Sequence, residues 1–198
     1  MHTVDSPHIQ THPYSMSAKA ESPLLIISCS LNPGSRSRIM AQAAKSDLTS
    51  AEWVDLAENE LPLCDGGAAY GHENVKQLAE KISAAKGILL ATPVYNYDVN
   101  AALKNMIELT GRHWTGKVVG FLCAAGGNSS YMSVMGVANS LMLDFRCVVL
   151  PRFVYATGSH FEGPQITDAD LRHRITKLAN DLAAYTKALN GLTEQLEA

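Results

Sequence analysis

The sequence predicts an α/β protein whose parallel sheet is covered by helices on both faces, and three observations carry that reading. Short apolar runs rich in Val, Ile and Leu alternate with amphipathic stretches along the chain. The runs are continuous in apolar character, as strands buried on both faces require. Five of them are separated by helix-length segments, which is the pattern of an open, doubly wound sheet.

The first strand is LLIISC (24–29), and the helix after it starts near Ser35 with Ile39, Met40, Ala43 and Ala44 on one side. EWVDL (52–56) is the second strand, followed by the loop ELPLCDGGAAYGH. Val75, Leu78, Ala79 and Ile82 recur at helical spacing. GILLATP (87–93) is the third strand, and Val99, Leu103, Met106, Ile107 and Thr110 mark the helix behind it. KVVGFLCA (117–124) is the fourth strand, followed by one helical segment from Ser130 to Leu143. CVVLPRFVYA (147–156) holds the fifth. Leu171, Ile175, Leu178, Leu182, Tyr185 and Leu189 are spaced as one long final helix, with Thr167 and Asp170 as its N-terminal cap.

With 198 residues, 46% hydrophobic and 18% charged, the chain suits one soluble domain, placed at 23–190. Residues 1–22 mix His, Ser, Thr and Pro without apolar periodicity and read as a disordered tail; 191–198 read as a short C-terminal tail. A net charge of −3 and the lack of a Lys/Arg stripe argue against nucleic-acid binding. The N-terminus does not read as a signal peptide, and no apolar run approaches membrane-spanning length, so the expected location is cytoplasmic. His2, His8 and His12 have no partner at ligand spacing, and no metal site is expected. Cys29, Cys123 and Cys147 lie inside strand-like runs and read as buried, reduced thiols, while Cys64 sits in a loop.

Ligands of such sheets bind beyond the carboxyl ends of the strands. Three loops there have unusual composition: 30–37, 92–98 and 125–130. In SCSLNPGSRSRIM, a helix start offers unpaired N–H groups beside Ser30, Ser35 and Ser37, with Arg36 or Arg38 for charge, which suits a phosphate. The plainer alternative makes Ser35 or Ser37 an ordinary helix cap. TPVYNYD places a proline, two tyrosines and Asn96 where a flat heteroaromatic ring finds stacking and edge hydrogen bonds. In AAGGNSS, two glycines invite close approach of a ligand. No G-x-G-x-x-G follows the first strand. GRHWTGKV (111–118) imitates a Walker loop but precedes a strand and has Val118 where a hydroxyl is needed. Lys117 therefore reads as a solvated residue at a strand entrance.

SLNPGSRS, ATPVYNYDVNAALKN and GKVVGFLCAAGG together resemble the NAD(P)H-dependent FMN reductase family, from about Leu24 to Tyr155. The resemblance implies a flavodoxin-like, doubly wound five-stranded parallel sheet of order 2-1-3-4-5. It implies that Ser30, Ser35, Arg36 and Ser37 hold the FMN phosphate, with Asn32 where many relatives have arginine. Pro93, Val94, Tyr95 and Asn96 would line the isoalloxazine ring, and Gly126 and Gly127 its pyrimidine edge. NADPH or NADH would reduce the flavin at N5, and a small-molecule acceptor (free flavin, quinone, azo compound or metal oxyanion) would reoxidise it. Lys104, on the helix after the ring loop, and His113 are further candidates for contact with ligand or a neighbouring subunit. A homodimer or homotetramer is expected, because the segment from Asn128 to Leu143 has no charged residue. Two alternatives stay open at this point: an FMN electron carrier whose ring is covered by Tyr97 or Trp114, and a protein that has kept the fold without the cofactor.

Overall fold

The computed structural model describes residues 24–196, and the side chains of 24–190. The elements in order are β1 (Leu24–Ser28), α1 (Arg36–Asp47), β2 (Glu52–Asp55), α2 (Glu73–Ala84), β3 (Gly87–Tyr95), β4 (Asp98–Val99) and α3 (Ala101–Thr110). They continue with β5 (Val118–Ala124), α4 (Met135–Phe145), β6 (Val148–Val149), β7 (Val154–Ala156), β8 (Phe161–Glu162), β9 (Gln165–Ile166) and α5 (Ala169–Leu196). The main sheet runs β2-β1-β3-β5-β6, with β7 also on β5, all parallel. This is the 2-1-3-4-5 order expected, with the fifth strand in two pieces.

Two apolar layers sandwich the sheet. Met40, Ala44, Leu171, Ile175 and Leu182 of α1 and α5 pack on one face with Ile26, Leu89 and Leu122. On the other, Leu78, Ile82, Leu103, Met106 and Leu141 of α2, α3 and α4 pack with Ile27, Leu90 and Phe121. Successive residues of β1, β3 and β5 thus serve opposite layers, and both sides need apolar side chains.

Several expectations need correction. The fifth strand breaks because Pro151, lacking an N–H, cannot continue the ladder after Leu150 donates to Val119 O at 2.8 Å. Two antiparallel hairpins are added: β4 pairs with β3 at the carboxyl-end edge of the main sheet, and β8–β9 forms a separate two-stranded sheet. The segment expected as one helix from Ser130 is a 3₁₀ stretch, Asn128–Val134, leading into α4, with Ser130 out of helical geometry. Asp168, rather than Thr167, caps α5: its Oδ1 accepts from Leu171 N–H at 2.6 Å, while Thr167 N–H is spent on His160 O. The backbone of α5 is helical to Leu196, through most of the segment read as a C-terminal tail. The N-terminal tail, with His2, His8 and His12, lies outside the described residues.

Lys117 is buried rather than solvated. Its ammonium donates to Ser83 O at 2.8 Å and Ala85 O at 2.6 Å, closing the C-terminus of α2. Burial, and then the nearby Lys86, pull its pKa down to about 8. Cys29, Cys123 and Cys147 are buried free thiols, as expected. Burial raises all three, Cys123 to about 12 and Cys147 to about 11, so they stay protonated and inert.

Candidate flavin site

Because β1, β3 and β5 are adjacent and parallel, with Ser28 beside Ala91 and Pro93 beside Ala124, their carboxyl ends deliver the three loops to one edge. The first loop is wound by its own polar groups. Ser30 is buried and its Oγ accepts from Asn32 N–H at 3.2 Å. Asn32 Oδ1 accepts from Gly34 N–H at 3.0 Å, and its carbonyl from Ser35 N–H at 3.0 Å. Asn32 therefore shapes the loop with its two acceptor oxygens, whereas a phosphate would be met by its side-chain NH2. Ser35 is the N-cap of α1, its Oγ accepting from Arg38 N–H at 3.2 Å and lying 3.1 Å from the Oγ of buried Ser37. Arg36 and Ser37, in the first turn, have N–H groups without an intrahelical acceptor. The cap role of Ser35 and an anion site are thus compatible.

The two arginines divide. Arg38 Nε lies 2.7 Å from Asp55 Oδ2 and its Nη2 lies 2.6 Å from Glu58 Oε1, so its charge is spent on holding the end of β2 against α1. Arg36 is exposed and pairs with neither acid.

The second loop is a tight hairpin. Val94 pairs with Val99 and Tyr95 with Asp98, leaving Asn96 and Tyr97 as a two-residue turn with φ of 51° and 68°. Positive φ at both positions is the geometry of a type I′ turn, and it is costly for a tyrosine. The turn holds Tyr95 and Tyr97 out at the edge, 55% and 59% exposed, while Pro93 and Val94 stay buried. Asn100 fixes this loop to the first one. It is 5% exposed, accepts from Thr92 Oγ1 at 3.0 Å and donates to Cys29 O at 2.7 Å.

In the third loop neither glycine is demanded by its own backbone: Gly127 is extended (φ −158°), and a Cβ on Gly126 or Gly127 would meet no atom within 4 Å. Their small size leaves open space on the outer side, where a planar group can approach. The hydroxyl of Tyr155 donates to Gly127 O and tethers the loop to β7. Unpaired N–H groups at the helix start, a tyrosine-bearing turn and glycines facing open space fit a phosphate joined to a flat ring.

Other candidates fall elsewhere. Trp114 is fully buried, with its Nε1 donating to Thr110 Oγ1 at 2.7 Å ahead of β5, so it cannot cover a ring. Lys104 pairs with Glu108, and His113 Nδ1 lies 2.8 Å from Ser83 Oγ. Asn100 and a fourth strand-end loop, Thr157–His160 after β7, were not singled out from sequence. The loop could have been: T-G-S-H combines glycine and hydroxyl residues as the first and third loops do. Beside the first loop, a cleft of about 520 Å³ is lined by Leu31, Leu61, Leu63, Ala101, Ala102 and Asn105, among others.

Residues 23–162 match the family described as NADPH-dependent FMN reductase. An NAD(P)H-dependent FAD/FMN reductase of Geobacillus thermodenitrificans is 30% identical over 132 residues, covering 64% of this chain and 70% of that protein. An NADPH azoreductase of a Bacillus species is 27% identical over 175 residues, 87% of this chain and 97% of its own. The structure of FerB, an NAD(P)H:(acceptor) oxidoreductase from Paracoccus denitrificans, superposes with a TM-score of 0.70 at 18% identity, covering 84% of this chain and 98% of that one. That last likeness is one of fold.

Proposed function

The chain belongs to the NADPH-dependent FMN reductase family, and on that premise we propose which of its residues hold the flavin and what it reduces. It is an NAD(P)H-dependent FMN oxidoreductase with a flavodoxin-like fold. The observation that carries the assignment is the meeting of the three loops at one sheet edge.

The unpaired N–H groups of Arg36 and Ser37, with the hydroxyls of Ser35 and Ser37, hold the phosphate, and the Arg36 guanidinium adds charge. Ser30 and Asn32 keep the loop in the shape that presents those groups. Pro93, Val94, Tyr95 and Asn96 line the ring, and Gly126 and Gly127 meet its pyrimidine edge. FMN held there would supply the electron chemistry between the nicotinamide and the acceptor. The protein's part is orientation and electrostatics. Backbone N–H groups near Asn96 and Gly127 would stabilise the negative charge on the reduced flavin, and Tyr95 would stack on its ring. Trp114 is confined to the core and cannot cover the ring, so an open face for the nicotinamide and then the acceptor requires only that Tyr97, exposed at the same edge, stay clear of it.

Quinones and azo compounds are the acceptors we propose, supported by the azoreductase relative and by the apolar cleft beside the first loop, which suits a planar aromatic substrate. A panel of free flavin, quinone, azo dye and metal oxyanion, assayed with NADPH and NADH in turn, tests this. Quinone or azo reduction should exceed free-flavin reduction; turnover of free flavin alone would contradict it. We place the protein in the cytoplasm on its four free cysteines, and among the described residues no helix is long and apolar enough to cross a membrane.

A homo-oligomer is the last part of the proposal. Val137, Ala138, Leu141 and Phe145 of α4 are buried, yet Met132, Met135, Met142 and Leu143 stay exposed around it, Leu143 by 76%. A helix on the outside of a sheet that leaves several large apolar side chains exposed is satisfied by a second copy. Light scattering at micromolar concentration should give a dimer or tetramer, and Leu143→Glu should shift it toward monomer; a monomeric wild type would contradict the proposal.

A further inference from the structure

The fourth strand-end loop runs directly against Arg36. The Arg36 guanidinium carbon lies 5.9 Å from the ring centroid of Phe161, within the range of a cation–π contact. A Cβ on Gly158 would come within 3.2 Å of Arg36 Nη2 and 3.3 Å of its Cζ, so the guanidinium packs against bare backbone there. Both contacts are on a braced support. Phe161 pairs with Ile166 in the β8–β9 hairpin, and the two pack against the layer beneath α1 and α5. The turn before it is locked by Thr157 N–H donating to His160 Nδ1 at 3.1 Å, with Thr157 Oγ1 3.0 Å from Ser159 Oγ.

An exposed arginine in the first turn of a helix ordinarily samples many rotamers, and ordering it costs entropy. Here that cost is met before any ligand arrives. Arg38 takes Asp55 and Glu58, so those acids do not neutralise Arg36. A neutral aromatic face and a glycine backbone orient it without consuming its charge, which is the combination a phosphate-binding arginine needs.

We propose that Phe161 and Gly158 are positioning residues for the phosphate end of the flavin site: they hold the Arg36 guanidinium at the start of α1 and thereby set the preference for FMN over riboflavin. The inference rests on the reading that Arg36 meets the phosphate. Phe161→Leu keeps an apolar side chain but removes the ring face. Gly158→Ala displaces the guanidinium by a few tenths of an ångström and leaves the hairpin untouched. Phe161→Tyr keeps the ring face and serves as the conservative control.

The test is fluorescence titration of deflavinated protein with FMN and, separately, with riboflavin, which lacks the phosphate. Arg36→Gln should weaken FMN about tenfold or more and leave riboflavin unchanged. Phe161→Leu and Gly158→Ala should each weaken FMN about three- to tenfold, again without effect on riboflavin. Phe161→Tyr should stay within about twofold of wild type, and Phe161→Leu should add nothing in the Arg36→Gln background. Equal losses for FMN and riboflavin, or a loss that persists in that background, would reduce Phe161 to a structural role and overturn the inference. If Arg36→Gln lowers the FMN-to-riboflavin preference while the Phe161 and Gly158 variants do not, the inference fails and the phosphate reading stands. If Arg36→Gln leaves the preference unchanged, the phosphate reading of Arg36 fails and the inference falls with it.

Discussion

Ser35→Glu is expected to give a folded protein that no longer retains FMN. Ser35 caps α1 and sits beside Ser37 and the unpaired N–H groups of the first turn. A glutamate there puts a carboxylate where a phosphate dianion should bind. Two unit charges about 4 Å apart in a partly desolvated site repel by on the order of 4 kcal/mol, which is roughly three powers of ten in affinity. The cost to the fold is far smaller. Loss of the cap is worth about 1 kcal/mol, and a negative charge near a helix N-terminus recovers part of it. The flavin-to-protein ratio after purification and the FMN dissociation constant are the readouts, with a thermal melt as control. Ser35→Asn, a neutral cap, should keep substantial binding. Wild-type affinity in Ser35→Glu would show that the phosphate lies elsewhere.

Asn100→Ala should cause the largest loss of stability among changes around the site. The side chain is buried between two strand ends and ties Thr92 of β3 to the carbonyl of Cys29 just beyond β1. Removing it strands the Cys29 carbonyl in a dry position and leaves Thr92 with only its second, local bond to Pro93 O. Buried groups left unpaired cost about 1–3 kcal/mol each. The expected total of about 2–4 kcal/mol lowers the melting temperature by roughly 5–15 °C in a domain of this size. FMN binding should weaken as well, because the phosphate loop and the tyrosine turn lose their common anchor. A melting temperature within about 2 °C of wild type would contradict this account.

The fold was legible because it rests on properties that sequence displays. Runs such as LLII and ILLA are apolar on every residue, since β1 and β3 bury both faces. The helical stripes of α2 and α3 became their buried faces, except that Val99 falls in β4 and Leu109 is buried in α3 as well. The failures trace to local chemistry that periodicity does not register. Pro151 cut a strand that reads as one apolar run, and a cap is decided by which oxygen reaches an N–H, which put Asp168 ahead of Thr167.

The three loops were legible from composition, but their internal wiring was not. Asn32 looks like a ligand in sequence, and in three dimensions its two oxygens also brace its own turn. Arg36 and Arg38, two residues apart, read alike; only the positions of Asp55 and Glu58, far along the chain, distinguish them. Asn100 passed unnoticed because a lone asparagine before a helix is common, and its two partners lie 8 and 71 residues away. The apolar surface of the Asn128–Leu143 segment was visible in its lack of charge, and the exposure of Met135 and Leu143 gives that pattern a physical place.

The central claim is that the protein takes electrons from a reduced nicotinamide directly through FMN bound at the three-loop edge. A carrier of the same fold would bind the same flavin and differ only in having no place for the nicotinamide over the ring. Anaerobic mixing of the FMN-loaded protein with excess NADPH, and separately with NADH, distinguishes the two by flavin absorbance. The account predicts bleaching to the two-electron reduced form with at least one of the nucleotides. A flavin that stays oxidised for minutes with both, yet accepts electrons from a separate reductase, would contradict it.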